Sequence, residues 1–250
     1  MLYELNVEAL LRIRSPELQK GLTQYIYLVH RFHSKEMGED FQREYNKFFG
    51  LNGVRGRNEV FKKGYYKYME CNRGNEELSF KEVLKALKKL PPGNVERSFG
   101  AKLLSMINPK KFLPWDENVK ESLKKIGVFS QGKAEFGIKV PSKNCICEWD
   151  EFYTKYCEWC RTFIKSAQGK RWIAQFNDWF SNEYWDWFTN SSRKTKTIDA
   201  LVKWLHEEGY TKKAKSIQNS ITDVKVIDLI LWQAGGSKAR NNPEIWYQTK

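Results

Sequence analysis

One aspartate of this chain stands where its carboxylate would be held in a fixed place. Asp116 follows Leu113-Pro114-Trp115 and precedes Val119, Leu123 and Ile126, which recur at helical spacing. This pattern predicts that Asp116 is the N-cap of a helix and accepts a hydrogen bond from a first-turn amide. A carboxylate held in this way is also able to stabilise developing positive charge or to activate water. The two interpretations, helix cap and chemical group, are compatible.

The residues before Asp116 predict the elements that position it, which are two helices joined by a hairpin. The first helix begins with a capping box at Ser79 and ends at Pro91-Pro92-Gly93, because proline lacks a backbone donor and glycine lets the chain reverse. A second helix is predicted from Ser98, and Asn108-Pro109 ends it. Asp116 then begins a third helix.

The composition indicates a polyanionic partner. The 250 residues carry a formal net charge of +13, and such a charge favours phosphates, which release counterions when they are neutralised. Nucleic acid is the first partner of this kind and an anionic membrane surface is the second. Aromatic residues make up 15% of the chain, and we expect most in the core and a few stacked on bases. The sequence has neither a signal-peptide pattern nor eighteen consecutive apolar residues, so we expect a cytoplasmic protein without a membrane segment.

Five cysteines, an odd number, favour reduced thiols in such a chain. The spacing of Cys145, Cys147, Cys157 and Cys160 suggests a zinc ion or an iron–sulfur cluster. Cys160, however, lies on an apolar helical stripe that ends at Phe163, which is typical of a core residue. We therefore predict no metal and no other cofactor, and a four-thiolate zinc site is the alternative.

Helical periodicity runs through the whole chain without a convincing alternating strand. The predicted fold class is all-α, a two-lobed helical bundle within a single unit. One lobe would comprise residues 35–130 and the other residues 1–34 with 140–250, since the glycine-rich residues 127–142 are typical of a loop. Near the N-terminus, Ser15-Pro16-Glu17 predicts that a new helix begins there.

The order of these elements resembles the helix-hairpin-helix DNA glycosylases of the endonuclease III and adenine-mismatch type. In that family a Leu-Pro-Gly hairpin precedes a helix and a Pro-x-Asp turn carries the essential aspartate, as residues 90–123 do here. Residues 50–58 are similar to the family's Gly-Leu-Tyr-x-x-Lys-Ala loop. Residues 227–235 look like the closing helix of archaeal oxoguanine DNA glycosylases, with Asp228 and Trp232 four apart. The likeness covers residues 50–126 and 224–240.

The resemblance implies a DNA-binding base-excision repair enzyme. It would flip a damaged base, with oxidised guanine favoured, and cleave the N-glycosyl bond with Asp116. Asp228 would hydrogen-bond the flipped base and Trp232 would stack on it, although packing in the core explains Trp232 equally well. The residues that would contact the DNA backbone are Arg55, Arg57, Gly93, Asn94, Val95, Arg97 and Ser98, with an exposed turn as the alternative for the two arginines of the 50–58 loop. The partner would be damaged double-stranded DNA, bound by a monomer.

The hairpin departs from the family pattern in two ways. It has one residue more than the family's Gly-x-Gly, and Glu96 stands where the second glycine belongs. Counted back from Asp116, the position of the bifunctional enzymes' catalytic lysine is Ser98, which implies a monofunctional enzyme. Lys102 lies one helical turn later and is the amine that a different register would bring to the sugar.

Two other functions stay open. A catalytically silent relative that binds DNA structure agrees with the altered hairpin. An RNA-binding or regulatory helical protein agrees with the charge and the aromatic content alone. Preference for single-stranded RNA over lesion-containing duplex would identify the latter.

Overall fold

The computed structural model describes residues 3–51, 59–130, 133–134, 139–142, 144–190, 196–209 and 221–248. Most of these residues are helical, which confirms the predicted all-α class. The helices are α1 (Val7–His33), α2 (Glu39–Phe49), α3 (Glu59–Cys71), α4 (Phe80–Lys88), α5 (Arg97–Ile107), α6 (Glu117–Lys125), α7 (Ile146–Lys165), α8 (Ala167–Trp179), α9 (Trp185–Asn190), α10 (Lys196–Glu207), α11 (Asp223–Gly235) and α12 (Ser237–Arg240). A π-helical turn, Phe180–Tyr184, joins α8 to α9, and a 3-10 turn, Pro243–Ile245, follows α12.

Four short strands that the sequence did not predict accompany the helices. β1 (Tyr3–Leu5) pairs antiparallel with β4 (Trp246–Gln248), so the two ends of the described chain meet. β2 (Phe129–Ser130) pairs antiparallel with β3 (Lys133–Ala134). Of the helices in the described part of the chain, none is long and apolar enough to cross a membrane.

The first helix is longer than the sequence predicted. α1 runs without interruption through Pro16, so the prediction that a new helix begins at this proline is wrong. Leu10 and Leu11 before Pro16 and Leu18 and Leu22 after it are all buried in the core. Burial of both halves therefore outweighs the one backbone hydrogen bond that proline removes.

The capping box predicted at Ser79 is confirmed. The Ser79 hydroxyl accepts the Glu82 backbone N–H at 3.3 Å, and the Glu82 carboxylate accepts the Ser79 N–H at 2.9 Å. α4, which begins here, packs against both α5 and α7. The cap thus fixes the start of the helix that leads into the hairpin.

α6 and α11 approach each other closely, and this contact positions Asp116 at the start of α6. A Cβ atom at Gly235 would lie only 1.7 Å from the carbonyl oxygen of Asn118, so only glycine fits there. One helical turn further along α6, the Ser122 hydroxyl donates to the carbonyl oxygen of Leu231. The N-terminus of α6 is therefore held against α11.

Helix–helix contacts join the two predicted lobes. α6 packs on α11 and α4 packs on α7, while α1 contacts α2, α8, α10 and α11. The buried apolar side chains form one connected core. The lobe division at residues 35–130 stays a prediction.

Candidate functional site

A cavity of about 470 Å³ opens between α1, α2, α5, α11 and the loop before α6. Four residues that the sequence singled out for catalysis or base binding line its wall, namely Lys102, Asp116, Asp228 and Trp232. Lys102 lies on α5, Asp116 on the loop before α6, and Asp228 and Trp232 on α11. The other charged or amide side chains of the wall are Arg14, Glu17, Lys20, Gln24, Lys47, Lys225 and Gln233.

The loop that carries Asp116 is anchored from behind by α7. The Tyr153 hydroxyl donates to the Leu113 carbonyl oxygen at 2.6 Å, and the Tyr156 hydroxyl donates to that of Pro114 at 3.4 Å. The Trp115 ring is buried and packs in a T-shaped arrangement against the Phe152 ring, with 4.9 Å between the ring centres. These contacts hold the backbone on the N-terminal side of Asp116.

Asp116 itself is the N-cap of α6, as predicted. Its Oδ1 accepts the Val119 backbone N–H at 3.1 Å. The side chain is half-buried and lines the cavity. One carboxylate oxygen therefore caps the helix while the residue lines the cavity, a geometry that is compatible with both interpretations.

Lys102 enters the same cavity from α5. Its Nζ donates to the Phe49 carbonyl oxygen at 2.9 Å and lies 5.2 Å from the centre of the Phe99 ring. Ser98, where the resemblance placed the lysine of bifunctional enzymes, does not line this cavity. Of Ser98 and Lys102, therefore, only Lys102 lines the cavity that Asp116 also lines.

Asp228 lies at the floor of the cavity and is 3% exposed. Its Oδ2 accepts the ammonium of Lys225 at 2.6 Å, whereas its Oδ1 has no hydrogen-bond partner within the described residues. Burial raises the pKa of the Asp228 carboxyl, and the neighbouring charge of Asp116 adds to this rise. The charges of Lys225 and Lys102 act in the opposite direction.

Trp232, one turn after Asp228 on α11, is 38% exposed and lines the cavity. Packing in the core therefore does not account for it fully, since a large part of its ring is accessible. A partly exposed indole beside a cavity is a surface on which a planar ring can stack.

Sequence reasoning missed the residues that α1 and α2 contribute to the cavity. Arg14 is 8% exposed, and its Nε and Nη2 donate to the Gln233 side-chain oxygen at 3.1 and 3.0 Å. Lys20 and Lys47 are exposed beside the cavity. Nothing local in the sequence marks these residues, because their place depends on how α1 and α2 pack on α11.

The hairpin lies apart from the cavity wall. Gly93 has φ +84°, a conformation that favours glycine, and its N–H donates to the Leu90 carbonyl oxygen at 2.7 Å. Arg97 donates from Nη1 to the Asn144 side chain at 3.2 Å, and its guanidinium lies 4.5 Å from the centre of the Trp149 ring. None of the hairpin residues 93–98 is among those that line the cavity. Arg55 and Arg57 lie outside the described residues.

The four cysteines of the possible metal site do not share one environment. Cys147 is exposed and Cys145 half-buried, while Cys157 and Cys160 are buried in the core. Burial raises the pKa of the Cys157 thiol to about 11. Over the part of the chain that the structure describes, no group of three or more His, Cys, Asp or Glu side chains is arranged to hold a metal ion.

Comparisons with protein-family models, with curated proteins and with solved structures found no match to this chain.

Proposed function

We propose that this protein is a DNA N-glycosylase that binds damaged duplex DNA, flips a base into the cavity beside Asp116 and cleaves its N-glycosyl bond. The observation that carries the proposal is the convergence of Lys102, Asp116, Asp228 and Trp232 on one cavity. Lys102 and Asp116 were singled out from residues 90–123, and Asp228 and Trp232 from residues 227–235. Their meeting at one cavity is what a base-excision site requires.

The chemistry follows from the charges of the cavity. Cleavage of a base from deoxyribose builds positive charge on the sugar, and a carboxylate about 3 Å away stabilises that charge or activates water. Asp116 supplies this carboxylate from a loop that α7 anchors. An anchored carboxylate needs little reorganisation during the reaction, which is the condition for effective electrostatic stabilisation.

The size and lining of the cavity suit a flipped base. Its volume of about 470 Å³ falls within the range of small-molecule sites, roughly 300–1,000 Å³. Asp228 Oδ1 is an acceptor for a base N–H, and Trp232 offers a ring on which the base can stack. Oxidised guanine remains the favoured base.

The DNA backbone would lie over cationic and backbone groups around this cavity. Lys20 and Lys47 are exposed beside it, and the exposed Asn94 offers its backbone amide at the hairpin, next to Gly93, whose own N–H donates to the Leu90 carbonyl oxygen. We retain Val95, Arg97, Ser98, Arg55 and Arg57 as further backbone contacts. The proposal includes a two-lobed helix-hairpin-helix architecture, a monomeric protein and a cytoplasmic location with access to DNA.

We propose a monofunctional enzyme that uses water as the nucleophile. Lys102 Nζ is engaged by the Phe49 carbonyl oxygen and would have to leave this bond to attack a sugar carbon. Borohydride should therefore trap no covalent adduct, and strand cleavage should need added alkali. An adduct that Lys102→Gln abolishes would instead make the enzyme bifunctional.

A base-release screen tests the proposal. The unmodified protein is incubated with duplexes that each carry one lesion, and the products are analysed with and without alkali. We expect release of at least one damaged base and none from undamaged duplex. Duplex binding without release from any lesion would replace the enzyme by a silent DNA-binding relative, and tighter binding of single-stranded RNA would favour an RNA-binding protein.

A further inference from the structure

A buried ion pair forms part of the cavity floor. Lys225 Nζ lies 2.6 Å from Asp228 Oδ2, and the two side chains are 6% and 5% exposed. Removing two charges from water costs free energy that their mutual attraction does not always repay. A buried pair is therefore weak evidence for stability, and its place in a cavity wall points to another use.

The two members of the pair differ in what else surrounds them. The Lys225 ammonium lies 4.4 Å from the centre of the Tyr25 ring and 5.4 Å from that of Phe48, so aromatic faces hold it in place. Asp228 uses only Oδ2 for the lysine, and its buried Oδ1 has no hydrogen-bond partner in the described part of the chain. An unpaired buried acceptor is costly unless a ligand or another group uses it.

We propose that Lys225 is a positioning residue of the cavity, which holds the Asp228 side chain as a carboxylate so that Oδ1 accepts an N–H of the occupant. The inference rests on the proposed glycosylase function, in which the occupant is a flipped base. Lys225 acts on the base only through Asp228. It is a residue that the sequence pattern and the resemblance did not single out.

The surroundings of Asp228 explain why a cation is needed at this place. Burial and the charge of Asp116 both raise the pKa of the Asp228 carboxyl, and Lys225 opposes them more strongly than the more distant Lys102 does. Other titratable groups that act on Asp228 electrostatically include Tyr25 from α1 and Tyr153, Tyr156 and Cys160 from α7. These are neutral near pH 7 because burial raises the pKa of each. Lys225 is thus the main group that lowers the pKa of the Asp228 carboxyl against the effect of burial.

Lys225→Met tests the proposal through the pH dependence of base release. Without the ammonium, the pKa of Asp228 rises further, so more of the carboxyl is protonated at pH 7 and fewer acceptors face the base. We expect base release at pH 7 to fall about 10- to 100-fold, the range of a hydrogen bond to a charged group, and to recover in part as the pH rises. Lys155→Met is the matched control, since Lys155 pairs with Glu151 on the exposed face of α7, and it should leave the pH profile unchanged.

A double variant separates this effect from damage to the fold. Lys225→Met with Asp228→Asn keeps an oxygen acceptor but has no carboxyl to titrate. Base release by the double variant should therefore lack the pH step that Lys225→Met shows. A step that persists in the double variant would overturn the proposal, because a group other than Asp228 would cause it.

A direct measurement reads the charge of Asp228 itself, and its first part uses only the unmodified protein. Carbon-13 NMR of labelled aspartate carboxyls, with the Asp228 signal assigned from Asp228→Asn, should show a carboxylate at pH 7 in the unmodified protein and a higher titration midpoint in Lys225→Met. A neutral Asp228 at pH 7, or an unchanged midpoint, would overturn the proposal. The titration can be measured whether or not the protein releases a base. If Asp228 titrates as expected but no base is released, the role of Lys225 stands and the glycosylase function is refuted. Base release by the unmodified protein together with an unchanged titration midpoint in Lys225→Met would support the glycosylase and refute the role of Lys225.

Discussion

The cavity and the hairpin differ in what their polar groups do. In the cavity wall, the Asp228 Oδ1 is buried and has no hydrogen-bond partner within the described residues, and the Lys20 side chain is exposed. In the hairpin, the Gly93 N–H is bonded to Leu90, and Arg97 contacts both Asn144 and Trp149. The cavity therefore holds groups that a ligand can use, whereas much of the hairpin's bonding capacity stabilises the fold.

We therefore expect the proposed chemistry and the proposed DNA binding to belong to separate regions. Substitutions in the cavity should change the rate of base release and leave binding of duplex nearly intact. Substitutions in the hairpin should change binding and stability by small amounts. A cavity variant that weakens duplex binding, or a hairpin variant that slows the chemical step, would refute this separation.

The largest effect is expected from Asp116→Asn. Asparagine keeps an oxygen that accepts the Val119 N–H but removes the charge that the reaction needs. Base release should fall by roughly 10²- to 10⁴-fold, while the melting temperature and duplex affinity stay near their original values. Single-turnover kinetics and thermal melts measure this, and Glu117→Gln at the next residue is the control. If Asp116→Asn unfolds the protein, Asp116 is a helix cap only.

Gly21→Leu is expected to block the cavity without harming the fold. Gly21 lines the cavity within α1, and a Cβ there would meet only the Phe48 ring at 4.0 Å. Leucine should raise the free energy of unfolding by up to about 1 kcal/mol through helix propensity. Its side chain should slow base release by roughly tenfold or more, a barrier increase of at least about 1.4 kcal/mol.

Gly21→Ala is the matched control, because it adds a single methyl group at ordinary contact distance. It should gain the helix propensity and retain most of the activity. Chemical denaturation and the base-release assay measure the two properties. Full activity in Gly21→Leu would show that the base does not enter this cavity.

Arg97→Ala should have a smaller effect, and on binding rather than on the rate. Loss of one phosphate contact should lower the slope of log affinity against log salt by about 1. Loss of the contact with Trp149 should lower the free energy of unfolding by about 0.5–1 kcal/mol. Lys170→Ala, at an exposed position of α8, removes the same charge as a control. An unchanged salt slope would leave Arg97 with a structural role only.

The smallest effect concerns the core behind the cavity loop. Cys157 lies on α7 beside the anchoring Tyr153, and burial raises the pKa of its thiol to about 11. Because the thiolate is the reactive form, native protein at pH 8 should be alkylated at the exposed Cys71 and Cys147 long before Cys157. Mass spectrometry of the labelled protein measures this, and rapid labelling of Cys157 would show that the core opens near the cavity.

Local patterns in the sequence predicted the features that depend on neighbouring residues. The capping box at Ser79, the N-cap at Asp116 and the end of α4 at the hairpin all follow from the types of residues within one or two helical turns. The all-α class follows from the same helical periodicity. Such patterns are informative because caps and breakers act on the backbone directly.

Features that depend on distant contacts were not predictable in this way. The helix break expected at Pro16 is absent because α1 is buried on both sides of it. The sequence pattern alone predicts a surface lysine at position 225, at the start of a helix. Lys225 is buried because it packs against Tyr25 and Phe48. Arg14 donates a hydrogen bond to Gln233, which lies 219 positions later in the sequence. The sequence therefore singled out Lys102, Asp116, Asp228 and Trp232 of the cavity wall but not Arg14, Lys20, Lys47 or Lys225.

One measurement tests the central claim, that the cavity performs the chemistry, most directly. Base release is followed in single turnover at duplex concentrations that saturate the unmodified protein, Gly21→Leu and Arg97→Ala. Saturation removes any binding defect, so Arg97→Ala should match the unmodified protein within a factor of about two, whereas Gly21→Leu should stay slow. Equal rates in all three proteins, or a slow Arg97→Ala beside a fully active Gly21→Leu, would contradict the claim.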